Sequence, residues 1–164
     1  MSDGSGGDRL PSLGPRGEGW VSLQFVAIGL LVAIGIVGPP WPQAARTGSR
    51  VAGLALGIAG LALGIGGSLA LGRTLTPLPR PGRGGVLVER GVYRLARHPI
   101  YGGVILLGLA WALWTSPLAV LLEAVLAGFF ELKRRREEAW LVERYPSYAS
   151  YRARVRRALI PWVW

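Results

Sequence analysis

Residues 51–71 read VAGLALGIAGLALGIGGSLAL, a run with no charge that is long enough for a helix to cross the roughly 30 Å hydrocarbon layer of a bilayer. Glycine recurs at Gly53, Gly57, Gly60, Gly64 and Gly67, in steps of four and three. On a helix that spacing draws a stripe of small residues along one face, which lets a neighbouring backbone come close. The stripe predicts packing against another helix, within a bundle or a dimer, or a groove that admits a lipid chain.

Working outward, residues 20–37 form a second uncharged run of spanning length, stopped by Gly38-Pro39-Pro40-Trp41-Pro42 and followed by a short polar loop to Arg50. Apolar character resumes at 100–114 and again at 118–130. Between these two runs Thr115-Ser116-Pro117 makes a turn, with Ser116 as N-cap and Pro117 at the first helical position. Runs three and four are shorter than the roughly 20 residues of a typical span, so they are read as one helical hairpin whose cytoplasmic ends project beyond the lipid. Buried helices of a soluble protein are the competing reading, and four apolar runs in 164 residues argue against it. The expected architecture is an all-α membrane protein. It is a four-helix transmembrane bundle over about 20–37, 51–71, 100–114 and 117–145, with a cytoplasmic C-terminal helical segment. Residues 1–19, rich in Gly, Ser, Pro and charge, are expected to be a disordered cytoplasmic tail, and residues 20–164 a single domain.

The chain is 51% hydrophobic yet carries a formal net charge of +10, so its charge must be segregated along the sequence. Arg73, Arg80, Arg83, Arg90, Arg94 and Arg97 crowd the loop between runs two and three. The C-terminal segment holds Lys133, Arg134, Arg135, Arg136, Arg144, Arg152, Arg154, Arg156 and Arg157. The loop after run one has only Arg46 and Arg50, and the turn between runs three and four has none. By the positive-inside rule both termini and the long loop are cytoplasmic, in a membrane of bacterial inner-membrane type. Anionic lipid headgroups account for the basic face more simply than nucleic acid does, because these arginines flank lipid-spanning runs. No small-residue cleavage site follows run one directly, which predicts an uncleaved helix instead of a signal peptide. With no cysteine and one histidine, neither a disulfide framework nor a thiolate or histidine-based metal site is expected.

Two polar clusters border the apolar runs. The first is Arg97-His98-Pro99-Ile100-Tyr101-Gly102-Gly103. Pro99 holds His98 extended and suits the first turn of run three, which also carries Tyr101 and Gly103. The second follows run four, where Glu137 and Glu138 come three and four residues after Arg134, within its reach on a helix. A solvated, salt-bridged helix on the membrane surface would look the same, and Pro146 should end it after Tyr145. Glu123 is the one ionisable residue well inside an apolar run, either functional or paired with a Trp or Ser of a neighbouring helix.

The stretch from Leu87 through Glu89, Arg90, Gly91 and Tyr93 to the Arg97-His98-Pro99-Ile100-Tyr101-Gly102-Gly103 block resembles the signature of integral-membrane methyltransferases that use S-adenosylmethionine. These include the isoprenylcysteine carboxyl methyltransferases and the phospholipid N-methyltransferases. Their Arg-His-Pro-x-Tyr-x-Gly block is followed by a helical hairpin, a Glu-Glu-x-x-Leu block and a tyrosine-rich tail. Here the later parts are Glu137-Glu138-Ala139-Trp140-Leu141, then Tyr145, Tyr148, Tyr151, Arg154-Val155 and Pro161. The resemblance extends over residues 75–161, the C-terminal half. It implies that Tyr93, Arg97, His98, Pro99, Tyr101, Gly103, Glu138 and Leu141 bind S-adenosylmethionine. Arg97 and His98 would meet its carboxylate, and Glu137 or Glu138 its ammonium or ribose hydroxyls. Tyr93, Tyr101 and Trp140 would pack on the adenine or sulfonium. Glu137 and Arg134 are the implied catalytic pair, Glu137 taking a proton from an amine acceptor and Arg134 orienting a carboxylate.

The implied activity is methyl transfer to a lipophilic or amphipathic acceptor at the cytoplasmic face, either an isoprenylcysteine-type carboxylate or a phospholipid amine, entering sideways through a gap between helices. A small-thiol S-methyltransferase is an alternative within the class. A non-enzymatic basic membrane protein that binds anionic lipids or a partner is the alternative outside it. No residue pattern specifies an oligomeric state.

Overall fold

Proline and glycine punctuate the chain where the helices begin and end. In the computed structural model, which describes residues 10–80 and 85–164, five α-helices follow one another and no strand occurs among the described residues. They are α1 (Glu18–Val37), α2 (Gln43–Leu71), α3 (Pro99–Thr115), α4 (Pro117–Arg144) and α5 (Tyr148–Arg154). Single 3-10 turns occur at Gly72–Thr74 and Gly91–Arg94. Gly38 ends α1 and two prolines follow it. Pro99 and Pro117 each open a helix, and the Ser116 hydroxyl accepts from the Leu118 amide as the expected cap of α4. α4 stops at Arg144, one residue before the expected end, with Pro146 just beyond.

One boundary needs correction. The polar loop expected up to Arg50 is helical from Gln43, so α2 begins two turns early. The amides of Ala45 and Arg46 both bond to the Pro42 carbonyl, and no proline interrupts residues 43–50. Charge marks where a run stops being apolar, and a helix ends only where the backbone is broken.

The tail expected over residues 1–19 lies outside the described residues for 1–9, as does Arg83. Residues 10–17 make turns against the fold: Trp20 Nε1 donates to the Pro11 carbonyl, and Arg80 bonds through its amide to Arg16 and through its side chain to Pro15.

α1 and α2 are long and apolar enough to cross a membrane, whereas α3 is apolar but shorter. The glycine stripe packs α2 onto α3. A Cβ on Gly60 would lie 2.9 Å from the Gly103 carbonyl oxygen, and one on Gly103 would lie 2.8 Å from Gly60 O and Gly64 N. Only glycine at these positions permits that approach. α1 packs on α3 and α4 and makes no extended contact with α2, so one face of α3 is left between them. The core gathers Leu31, Ile105, Ala112, Ala119, Leu126 and Phe130 with Ala158 and Leu159 of the returning C-terminal segment. That segment is fastened to the start of α3, since the amides of Arg97 and His98 bond to the carbonyls of Arg157 and Ala158 at 3.1 and 2.7 Å.

Candidate active site

His98 takes an extended backbone (φ −128°, ψ 59°) because Pro99 follows it, and this turns the side chains of Arg97 and His98 toward α4. α3 and α4 are antiparallel, joined by one residue at the far end, so the last turns of α4 lie beside the first turn of α3. That brings the two polar clusters together. Glu138, 5% exposed, accepts at Oε1 from Arg97 Nε (2.9 Å), His98 Nε2 (3.2 Å) and Arg134 Nη1 (3.0 Å). Arg97 also donates through Nη1 to the carbonyls of Val155 and Arg156, leaving Nη2 with no bond among the described residues. The Tyr101 hydroxyl donates to Glu137 Oε2 at 2.5 Å, and its ring stacks on His98 with centroids 5.6 Å apart. His98 Nδ1 stands 3.9 Å from Glu137, beyond hydrogen-bond range.

Arg97, His98, Tyr101 and Glu137 line an open cleft with a cavity of about 140 Å³. Tyr93, Arg97, His98, Tyr101, Glu137 and Leu141 line it with Tyr145, Tyr148 and Tyr151, and residues 85–88 contribute to the lining. Tyr93 is aimed inward by the 3-10 turn, which the left-handed Gly91 (φ 60°) makes possible, and Tyr151 Oη braces it by donating to the Tyr93 carbonyl. Burial, with the charge of Glu137, raises the Tyr93 phenol well above its ordinary value, and burial does the same for Tyr148. Both therefore stay protonated donors at neutral pH. Burial alone would raise the Glu138 carboxyl, but hydrogen bonds and charge from His98, Arg97 and Arg134 hold it well below the usual carboxylate range.

Six of the ten residues expected in the site line the cleft. The other four are placed elsewhere. Glu138 lies behind Arg97 and His98 and holds them. Pro99 is buried at the start of α3, and Gly103 faces α2. Arg134 binds Glu131 (2.5 Å) and Glu138, and borders a separate polar cleft with Arg135 and Arg152. Trp140 packs under the Arg136 guanidinium, 4.5 Å from its ring centre, and does not line the cleft. Glu123 stands apart in α4, buried with its carboxyl group against Gly108, and neither oxygen has a hydrogen bond among the described residues.

Lys133 was missed. It is 1% exposed, donates to Gln24 of α1 and lies 4.9 Å from the Tyr101 ring centre. Its place four residues before Glu137 put it on the same helix face, a signal hidden within a run of four basic residues.

No curated protein matches the chain as an individual sequence. The model of the phospholipid methyltransferase family matches residues 49–148, more than half of the chain, from the glycine-striped α2 through both polar clusters to the first tyrosines of the tail. The match runs continuously through the helices that build the cleft and the clusters that border it, and the chain belongs to the phospholipid methyltransferase family, whose members are methyltransferases of lipid-type substrates.

Proposed function

We propose that the protein transfers a methyl group from S-adenosylmethionine to a lipophilic or amphipathic acceptor at the cytoplasmic membrane face. The observation that carries this reading is the meeting of Arg97 and His98 with Glu137 in one tyrosine-lined cleft. The residues fit the cofactor on the evidence of the cleft itself. The Tyr148 hydroxyl is buried in its wall without a well-formed hydrogen bond, and Arg97 Nη2 is free to donate. The bound cofactor would supply an electrophilic methyl group on a sulfonium.

Arg97 and the start of α3 would hold the cofactor carboxylate. Glu137 and the tyrosine rings would face its cationic parts. Glu138 and Arg134 act as positioning residues, fixing Arg97 and His98 without touching either substrate. Glu137, oriented by Tyr101, is the proton acceptor for an amine substrate, and for a carboxylate substrate no proton need move. The remaining catalysis is alignment of the acceptor and exclusion of water.

In the bilayer, α1 and α2 would span, and α3 with the first half of α4 would form the hairpin expected from sequence. α3 is about 25 Å long at 1.5 Å per residue, and α4 would carry its charged half into the cytoplasm. Both termini and the arginine-rich loop would then be cytoplasmic. A second cavity meets the cleft at Tyr93, His98, Tyr101 and Glu137 and leads outward between α1 and α2, which supports lateral entry of the acceptor from the leaflet. Calorimetric titration of the purified protein with S-adenosylmethionine tests the reading. Saturable binding lost in His98→Ala is expected. Absence of binding by a folded wild-type protein would leave the basic lipid-binding scaffold in its place.

A further inference from the structure

Behind the carboxylate hub that holds Arg97 and His98, a second polar cleft opens on the charged half of α4. Arg134, Arg135, Glu138, Ala139 and Val142 form its α4 wall, with Arg97 at its buried end and Arg152 of α5 at its exposed rim. Its cavity of about 400 Å³ shares Arg97 alone with the tyrosine-lined cleft and nothing with the lateral cavity.

Four guanidinium groups line this cavity against one carboxylate. Glu138 is already divided among Arg97, His98 and Arg134, and Arg152 comes no closer to it than 4.0 Å. Glu131, outside the lining, is divided between Arg134 and Arg135. Four arginine charges set against these two carboxylates leave two positive charges in excess. Arginine cannot shed a proton to relieve that excess. The side chains of Arg97 and Arg134 are mostly buried, so water screens them poorly, whereas those of Arg135 and Arg152 are 56% and 59% exposed and leave the mouth open. Guanidinium forks match the oxygens of a tetrahedral oxyanion, and an excess of two charges favours a dianion over a single carboxylate.

We propose that this cleft binds a phosphate-type dianion, with Arg97 and Arg134 at its floor and Arg135 and Arg152 at its mouth. Such a ligand bridges α4 to α5. It thereby fastens the C-terminal return, whose Val155 and Arg156 carbonyls hold the Arg97 guanidinium. The site is one for an effector, not for a methyl acceptor, and it stands whether or not the neighbouring cleft holds a methyl donor.

The experiment is a calorimetric titration of the full chain in phosphatidylcholine nanodiscs, at constant ionic strength, with pyrophosphate, inorganic phosphate and acetate. The two phosphate-type anions should bind saturably and at least about tenfold more tightly than acetate. Arg152→Gln should weaken them about tenfold, the equivalent of one charge-assisted hydrogen bond. Arg73→Gln, which removes the same charge outside the cleft, should leave binding unchanged. Thermal unfolding reports whether each variant is folded, and Arg135→Gln serves if Arg152→Gln is not. A free anion and a lipid headgroup carry the same chemistry, so nanodiscs containing phosphatidic acid are compared with nanodiscs given the same charge as oleate. A higher unfolding midpoint with phosphatidic acid, lost in Arg152→Gln, puts a lipid headgroup in the cleft, and undiminished pyrophosphate binding there assigns a soluble phosphate. Neither pyrophosphate binding nor a phosphatidic acid effect, acetate binding as tightly as pyrophosphate, or equal weakening by Arg152→Gln and Arg73→Gln would each overturn the proposal. S-adenosylmethionine is absent throughout, so the result is independent of the methyl-transfer reading.

Discussion

Replacing Glu138 with glutamine removes one charge and changes almost no volume. Three donors converge on one oxygen of this carboxylate: Arg97 Nε at 2.9 Å, His98 Nε2 at 3.2 Å and Arg134 Nη1 at 3.0 Å. Arg97 and His98 are themselves buried, at 9% and 6% exposure, so water cannot replace what they lose. A hydrogen bond to a charged group contributes about 1.5–3 kcal/mol, and removing one partner of a buried ion pair costs about 3–5 kcal/mol in total. The Glu138→Gln amide oxygen can still accept, so the expected loss is near the lower end, about 3 kcal/mol, and Glu138→Ala should approach about 5. The pH dependence comes from the direction of the shift. Glu138 is held below the usual range in the folded state, so its stabilisation is present above the unfolded carboxyl pKa of about 4.3 and fades as pH falls through the folded value. Unfolding of the purified protein by denaturant at a series of pH values reads both quantities. The gap between wild type and Glu138→Gln should be constant from about pH 8 to pH 5 and narrow below about pH 4. A gap under about 1 kcal/mol at neutral pH, or one that closes between pH 7 and 5, would refute the three-donor hub as the source of order.

Other perturbations separate packing from chemistry. Gly103→Ala drives a methyl against the backbone of Gly60 and Gly64 and should destabilise by about 1–3 kcal/mol, whereas Gly64→Ala meets nothing within 4 Å and should be neutral in the same unfolding assay. Glu137→Gln should weaken cofactor binding and, at saturating cofactor, lower kcat about 100-fold on an amine acceptor; full turnover at saturation would remove Glu137 from proton transfer. Tyr101→Phe releases Glu137 from its 2.5 Å hydrogen bond and should lower kcat less than Glu137→Gln does, measured in parallel. Because the chain has no cysteine, Gly48→Cys and Arg90→Cys can be labelled separately with an impermeant maleimide, and only Gly48→Cys should react from outside intact cells.

The helices were legible because their breakers are. Gly38, Pro99, Ser116-Pro117 and Pro146 mark ends that the structure keeps within a residue or two. The start of α2 was not, since residues 43–50 are polar and helical at once, and hydropathy reports the former only. The cleft was legible to the extent that its residues are local in sequence. Arg97, His98 and Tyr101 occupy one turn, and Glu137 and Leu141 one face of α4. Gly103 and Arg134 sit at equally suggestive spacings and point elsewhere. Adjacent helix positions differ by about 100° in direction, so Lys133 enters the lateral cavity while Arg134 faces Glu131 and Glu138. Which of two neighbouring basic residues faces the site depends on where α1 and α3 stand around α4, and that is a tertiary fact.

The family match ends at residue 148, yet the order of the site depends on the C-terminal residues beyond it. Arg97 carries a buried charge that Glu138 balances, but its Nη1 is satisfied by the carbonyls of Val155 and Arg156, and the backbone of Arg97 and His98 is pinned by Arg157 and Ala158. Tyr151 braces Tyr93 from the same side. The motif residues thus supply the chemical groups, and the C-terminal return supplies the fixed geometry that keeps an arginine, a histidine and a carboxylate from collapsing onto one another. A cleft built at a helix mouth needs both. Without the carbonyls of Val155 and Arg156 the guanidinium would be free to reach for Glu137 as well as Glu138, and Glu137, the one carboxylate that lines the cleft among the described residues, would have its charge balanced from within the protein.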